Sequence, residues 1–217
     1  DTQSLMQSDA WTFNNGREFP GATGSLTFER GNLKLVGDFT GGGGYVQAGR
    51  KIDNVDIREL SLQLRSADTD QFTLRLGDSS GQTHQIVLRI DTEADWQPLM
   101  LPVQQFFEQR GKAGAVTSVL KYESWGGAKD GRWHGPATGL YLLLSNRGAN
   151  AVRTISFRDI SVVPQATAVA GAEMKASIPL NEVVEGTHDW RFTNGAEFKG
   201  ATGSLSVAED TPRTGQS

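Results

Sequence analysis

Two tryptophans stand eight residues apart in the segment ESWGGAKDGRWHGPATG, residues 123–139, among glycines and charged side chains. Flat aromatic faces ringed by donors and acceptors suit a ligand with apolar C–H faces edged by hydroxyls, as sugar rings have. Trp125 and Trp133 are the candidate platforms, with Asp130, Arg132 and His134 as the polar rim. The other reading is that one or both rings plug the end of a core. Tyr45, directly after four glycines in GDFTGGGGYVQAGR, residues 37–50, joins the candidate set. That glycine run is not read as a phosphate cradle, because it leads into a strand-like Tyr-Val-Gln and not into a helix N-terminus. It is expected to be a wide turn whose backbone comes close to a neighbouring strand or a flat ligand.

Catalytic signatures are absent from the pattern. His84, His134 and His188 form no HxxxH pair, no serine sits in a GxSxG elbow, and no GxxxxGK[ST] loop exists. A hard cation tying terminal strands together is a general option for sandwich domains, and Glu18, Asp38 and Asp159 are the candidate ligands for a structural calcium, without EF-hand spacing.

The elements that must position these residues are short and β-rich. In residues 72–90, Phe72, Leu74 and Leu76 alternate with polar residues, GDSSGQ turns the chain, and Ile86, Leu88 and Ile90 alternate back. This is a hairpin with one wet face. LKLVGDF at 33–39 and GLYLLLSN at 139–146 are further strands. In VDIRELSLQLRS, Val55 and Ile57 hold one phase and Leu60, Leu62 and Leu64 the other, which predicts a bulge near Glu59. VQQFFEQRG at 103–111 is the one short helix candidate, ended by Gly111. Trp11 and Trp96 read as core or strand-end packing. About nine strands without βαβ alternation predict an all-β, antiparallel sandwich of the jelly-roll type.

Length and composition bound the rest. The chain has 217 residues, a formal net charge of -4 and no cysteine. It has no basic field to hold a phosphate backbone, which argues against a nucleic-acid partner, and no disulfide framework or thiol chemistry. No apolar run approaches the roughly 18 residues that span a bilayer. The start DTQSLMQSDA has no initiator Met, which suits a processed or excised chain.

WTFNNGREFPGATGSL at 11–26 returns as WRFTNGAEFKGATGSL at 190–205, with 12 identities in 16 positions. An offset of 179 is a whole-domain period and far exceeds a solenoid period of about 20 to 50 residues. The organisation expected is a domain at 1–164, a linker at 165–188, and the opening of a second copy at 189–217. A tail that donates a strand to the first domain or to a neighbouring molecule is the alternative.

Together, W-x-F-x-N-G-x-E-F-P-G-A-x-G-S, GDFTGGGGYV, ADWQPLMLPVQQF, SWGGAKDGRWHGP and ISFRDISVV, spanning residues 10–163, resemble the galactose-binding-like jelly-roll modules that accompany bacterial glycoside hydrolases and other polysaccharide-active proteins. The resemblance implies an eight- to ten-stranded sandwich, a non-catalytic accessory role beside a catalytic domain such as a (β/α)-barrel hydrolase, a polysaccharide or oligosaccharide partner, a secreted or periplasmic setting, and frequently a structural calcium. It supplies no matched ligand-residue motif. The rival expectations are a structural sandwich that orients neighbouring domains of the same chain, and a polysaccharide lyase or hydrolase of the sandwich type.

Overall fold

The structure, a computed structural model, describes residues 1–108 and 119–166. Twelve strands and one short helix run in the order β1 (Gln3–Ser4), β2 (Trp11–Asn14), β3 (Thr23–Glu29), β4 (Asn32–Asp38), β5 (Tyr45–Val55), β6 (Ile57–Arg65), β7 (Gln71–Asp78), β8 (Gln82–Arg89), β9 (Gln97–Pro102), α1 (Val103–Glu108), β10 (Val119–Gly126), β11 (Ala137–Ser145) and β12 (Val152–Pro164). One antiparallel sheet has the order β3-β4-β12-β6-β9, with β1 added to β12; the other has the order β10-β8-β7-β11-β5-β2. The two pack as a sandwich, the all-β class expected, with more strands than the alternation alone marks out. Among the described residues neither this α-helix nor the 3-10 turn at Ser8–Ala10 is long enough to cross a membrane.

Alternation decides what is buried. Phe72, Leu74 and Leu76 of β7 and Ile86 and Leu88 of β8 point inward, meeting Leu60, Leu62 and Leu64 of β6 and Ile155 and Phe157 of β12 in a single core. The Phe72 and Phe157 rings meet there at 5.6 Å. Burying each such side chain contributes about 1.5 to 3 kcal/mol. Trp11 is buried, and its Nε1 donates to the Leu5 carbonyl at 2.8 Å, so the N-terminal segment is tied to the core. Val103, Phe106 and Phe107 of α1 are also buried; Gly111 lies outside the described residues, as do most of the expected linker and the repeated segment.

Two bulges shape β6 and β12. Ile57 pairs with Pro164 and Glu59 with Val163, so Arg58 is an extra residue in β6, at the expected phase slip. Val55, read as part of the same run, ends β5 instead. Between Arg158 and Ser161 the extra residue lies on β12, where Asp159 has a φ of 53°.

The glycine run after β4 makes the close approach expected of it. A Cβ on Gly43, whose φ is 84°, would stand 2.3 Å from the Ala22 backbone nitrogen, so this turn folds flat against the β2–β3 loop. The chain then enters β5 at Tyr45.

Candidate binding face and the loop beside it

Because β8 turns Gln82, His84, Ile86 and Leu88 inward, Thr83, Gln85 and Val87 face outward. Register then lines up an outward row across four strands: Glu123 of β10 opposite Gln85 of β8, Gln85 opposite Arg75 of β7, and Arg75 opposite Tyr141 of β11. These groups are joined. Lys121 Nζ meets Glu123 Oε1 at 2.6 Å, Gln85 Nε2 donates to Glu123 Oε2 at 3.0 Å, and Arg75 Nε donates to Gln85 Oε1 at 2.6 Å.

Aromatic rings stand around this polar row. The Arg75 guanidinium carbon lies over the Tyr45 ring at 5.3 Å and over the Trp125 ring at 5.4 Å. Phe19, 57 % exposed, meets Tyr45 edge-on with centroids 6.4 Å apart, and Trp125 is 44 % exposed. The Tyr45 hydroxyl donates to Glu18 Oε1. A depression of about 320 Å³ opens on the face, lined by Phe19, Tyr45, Arg75, Gln85, Lys121 and Glu123 among others. The Lys121 ammonium holds the Glu123 carboxyl below its ordinary range, with help from Gln85 and Arg75; the Tyr45 hydroxyl does the same for Glu18. Both carboxylates are therefore charged at neutral pH.

The rest of the 123–139 segment goes elsewhere. The Trp133 ring stacks on Phe107 at 5.8 Å and meets His84 at 5.6 Å, while its Nε1 donates to Asp56 Oδ1 at 3.0 Å. It is half-buried and packs against the core at the sandwich end. Asp130 accepts from the Arg132 backbone N–H at 2.9 Å, from His134 Nε2 at 3.0 Å and from the Gln82 amide at 3.4 Å; these donors, the Arg132 N–H first, lower its carboxyl to about 2. Asp130 and His134 thus staple the loop to itself and to β8. The Arg132 side chain is exposed. Of the six residues singled out for the ligand, the structure brings Trp125 and Tyr45 together on one face and gathers Trp133, Asp130, Arg132 and His134 in the loop.

Under that loop lies a buried polar chain. Asp78 Oδ2 accepts from His84 Nε2 at 3.1 Å, and His84 Nδ1 is 3.0 Å from the Tyr122 hydroxyl, which also meets the Gly131 carbonyl at 3.1 Å. Burial pushes the His84 imidazole down; burial would push Asp78 up, but Ser80, His84, His134 and Gln82 all donate to it and hold it low. The order carboxylate–imidazole–hydroxyl has the form of a proton relay. Both Asp78 and His84 side chains are fully enclosed, with Phe107 and Trp133 against the imidazole, while Tyr122 at the other end is half-buried.

The three calcium candidates do not meet. Glu18 holds Tyr45; Asp38 accepts from the Thr40 N–H and hydroxyl at 2.9 and 2.6 Å; Asp159 is the β12 bulge residue, accepting from Gln63 at 3.1 Å beside Arg158. Among the described residues no three His, Asp or Glu side chains converge as an ion would need. Trp96 lies just before β9 with two guanidinium groups over its ring, Arg158 at 4.2 Å and Arg65 at 4.7 Å.

Phe19, Arg75, Gln85, Lys121 and Glu123 were not singled out from sequence. The outward positions of the predicted hairpin already contained Arg75 and Gln85, and Phe19 is one of the repeated residues, returning as Phe198.

No family model matches the chain, and neither does any curated protein. Solved structures do. An exo-beta-agarase is 14 % identical, with 75 % of this chain and 25 % of that chain covered and a TM-score of 0.50. A second agarase is 12 % identical over 76 % of this chain and 25 % of its own, at 0.47. The family 11 carbohydrate-binding module of a cellulosomal cellulase of Clostridium thermocellum is 12 % identical over 76 % of this chain and 95 % of its own, also at 0.47. The chain spans about a quarter of the length of the two agarases. At this identity what is shared is the β-sandwich fold.

Proposed function

We propose that the outer face of the β10-β8-β7-β11-β5-β2 sheet binds a saccharide and that the domain is a non-catalytic binding module. The observation that carries this reading is the placing of Trp125 and Tyr45 over one guanidinium, beside exposed Phe19 and a hydrogen-bonded row of Lys121, Glu123, Gln85 and Arg75. Aromatic faces take the C–H surface of a sugar ring, and the polar row offers hydroxyls both donors and acceptors. Cell-wall and matrix polysaccharides are met outside the cell membrane, and a module for such polymers would sit in a secreted or periplasmic protein, beside other domains of the same chain. The repeat at 190–205 supports a second copy, which would add avidity on a polymer without any new contact.

The test is affinity electrophoresis of the 217-residue chain through gels containing single polysaccharides, beside Trp125→Ala and Tyr45→Ala variants whose fold is checked by circular dichroism. The similarity of fold to an exo-beta-agarase puts agarose in the panel. Retardation by one polymer that both variants lose supports the reading. Retardation by none, with the chain folded, rejects it in favour of a domain that orients its neighbours.

A further inference from the structure

This inference rests on the binding reading above and concerns which glycans the face accepts. The polar groups beneath the aromatic rim form one chain of contacts: Lys121 to Glu123, Glu123 to Gln85, Gln85 to Arg75, Arg75 over Tyr45, and Tyr45 to Glu18. Its four charged members alternate in sign, positive at Lys121 and Arg75, negative at Glu123 and Glu18. Both carboxyls are held below their ordinary range by their partners, so the cancellation persists through neutral pH.

From this arrangement we propose that the face selects uncharged glycans and rejects polyanionic ones. A hydroxyl both donates and accepts, so a neutral sugar can donate to Glu123 or Glu18 while accepting from Lys121 or Arg75. A sulfate or uronate group only accepts. Whichever cation it approaches, it finds a carboxylate already there: Glu123 is bonded directly to Lys121, and it is one amide away from Arg75 through Gln85. The repulsive element needed for discrimination is thus built in. The chain as a whole, at a net charge of -4, adds no long-range attraction for a polyanion.

Two polymer sets decide it, in the same gels and with the same full chain: agarose, xyloglucan and galactomannan against alginate, polygalacturonate and ι-carrageenan. The quantity read is the retardation that Trp125→Ala abolishes, which separates this face from any other patch. We expect such retardation from at least one neutral polymer, changing less than about twofold on raising salt severalfold, since screening acts on charge pairs and not on stacking. None is expected from the anionic set. Glu123→Gln removes one carboxylate and leaves the amide in place; it is expected to weaken neutral binding by about threefold to tenfold and to make anionic retardation measurable. Trp125-dependent binding of an anionic polymer to the unaltered chain would overturn the selectivity and leave the saccharide face standing. So would a Glu123→Gln variant that still ignores every anion, because charge cancellation would then not be the cause. Absence of Trp125-dependent retardation by any polymer removes both the face and its selectivity.

Discussion

Trp125 and Trp133 lie in one glycine-rich segment and have opposite fates. Trp125 ends β10 on the outward side, in step with Glu123 and Lys121, and its ring is held over Arg75. Trp133 follows a turn in which Gly131 has a φ of 72°, and its ring enters the sandwich end against Phe107 and His84. The difference is parity and anchoring. A strand that presents Tyr122 inward must present Trp125 outward three positions later, whereas the loop after it is drawn inward by Asp130, Gln82 and the buried Asp78. Aromatic content in a loop therefore does not fix a ring's environment; the parity of the preceding strand and the anchoring of the loop do.

The largest effect expected from this contrast is on stability. Trp133→Ala leaves a void beside Phe107 and strips Asp56 of its indole donor, and should cost about 3 kcal/mol. For a domain of this size that is a fall of roughly 6 to 12 °C in Tm. Scanning calorimetry reads it directly. A Trp133→Ala protein of unchanged Tm that no longer binds glycan would break the comparison, since Trp133 would then be the platform.

Trp125→Ala is the mirror image. Its exposed ring contributes little to the fold, within about 0.5 kcal/mol. Loss of a stacking face should weaken glycan binding by about 2 kcal/mol, roughly 30-fold. Isothermal titration with an oligosaccharide of the polymer identified by electrophoresis measures that loss.

Acid separates the two regions more gently. The His84 imidazole is held below its ordinary 6.5 by burial, and the donors around Asp78 outweigh burial to hold its carboxyl below 3.8. Both groups bind fewer protons folded than unfolded, so their contribution is complete above about pH 6.5 and declines as pH falls, first through His84 and then through Asp78. Tm should be level from pH 8 to 7 and fall as pH drops below about 6.5. A His84→Gln variant should show a flatter decline. Over the same interval glycan binding at the outer face should change less than about twofold, because Glu18 and Glu123 stay ionised. Binding that tracked the Tm decline would tie the face to the buried relay.

How much of this was legible in the sequence follows from the range of each signal. The β7–β8 hairpin was, because its apolar period and the Asp78–Gly81 turn are local; Gly81 N–H closes on the Asp78 carbonyl at 3.1 Å. The β6 bulge was, because a phase slip in leucines is local too. The face was only half legible. Arg75 and Gln85 look like ordinary solvated residues until β10 brings Glu123 and Trp125 alongside and β5 brings Tyr45, and those pairings join residues from 31 (Val119 and Leu88) to 100 (Ser145 and Tyr45) apart along the chain. The bulge that places Asp159 was not legible, because it arises from the pairing of β12 with β6, which lies far away along the chain.

Phe19 tests how far the face extends and carries the smallest effect. It is the most exposed large ring near the depression, yet its Cβ lies close over Gly44, where an added Cβ would come within 3.1 Å, and its N–H donates to the Gly16 carbonyl at 2.8 Å. The backbone position is set by those contacts and the ring is left over, so Phe19→Ala should leave stability within about 0.5 kcal/mol. A ring that meets Tyr45 only edge-on should be worth about 0.7 kcal/mol in binding, close to threefold. Its return as Phe198, among repeated residues that otherwise include the buried Trp11 and the left-handed Gly16 and Gly21, is hard to explain by packing and easy to explain by contact. A loss equal to that of Trp125→Ala would move the centre of the site to the Tyr45 side, and the 123–139 segment would become its margin.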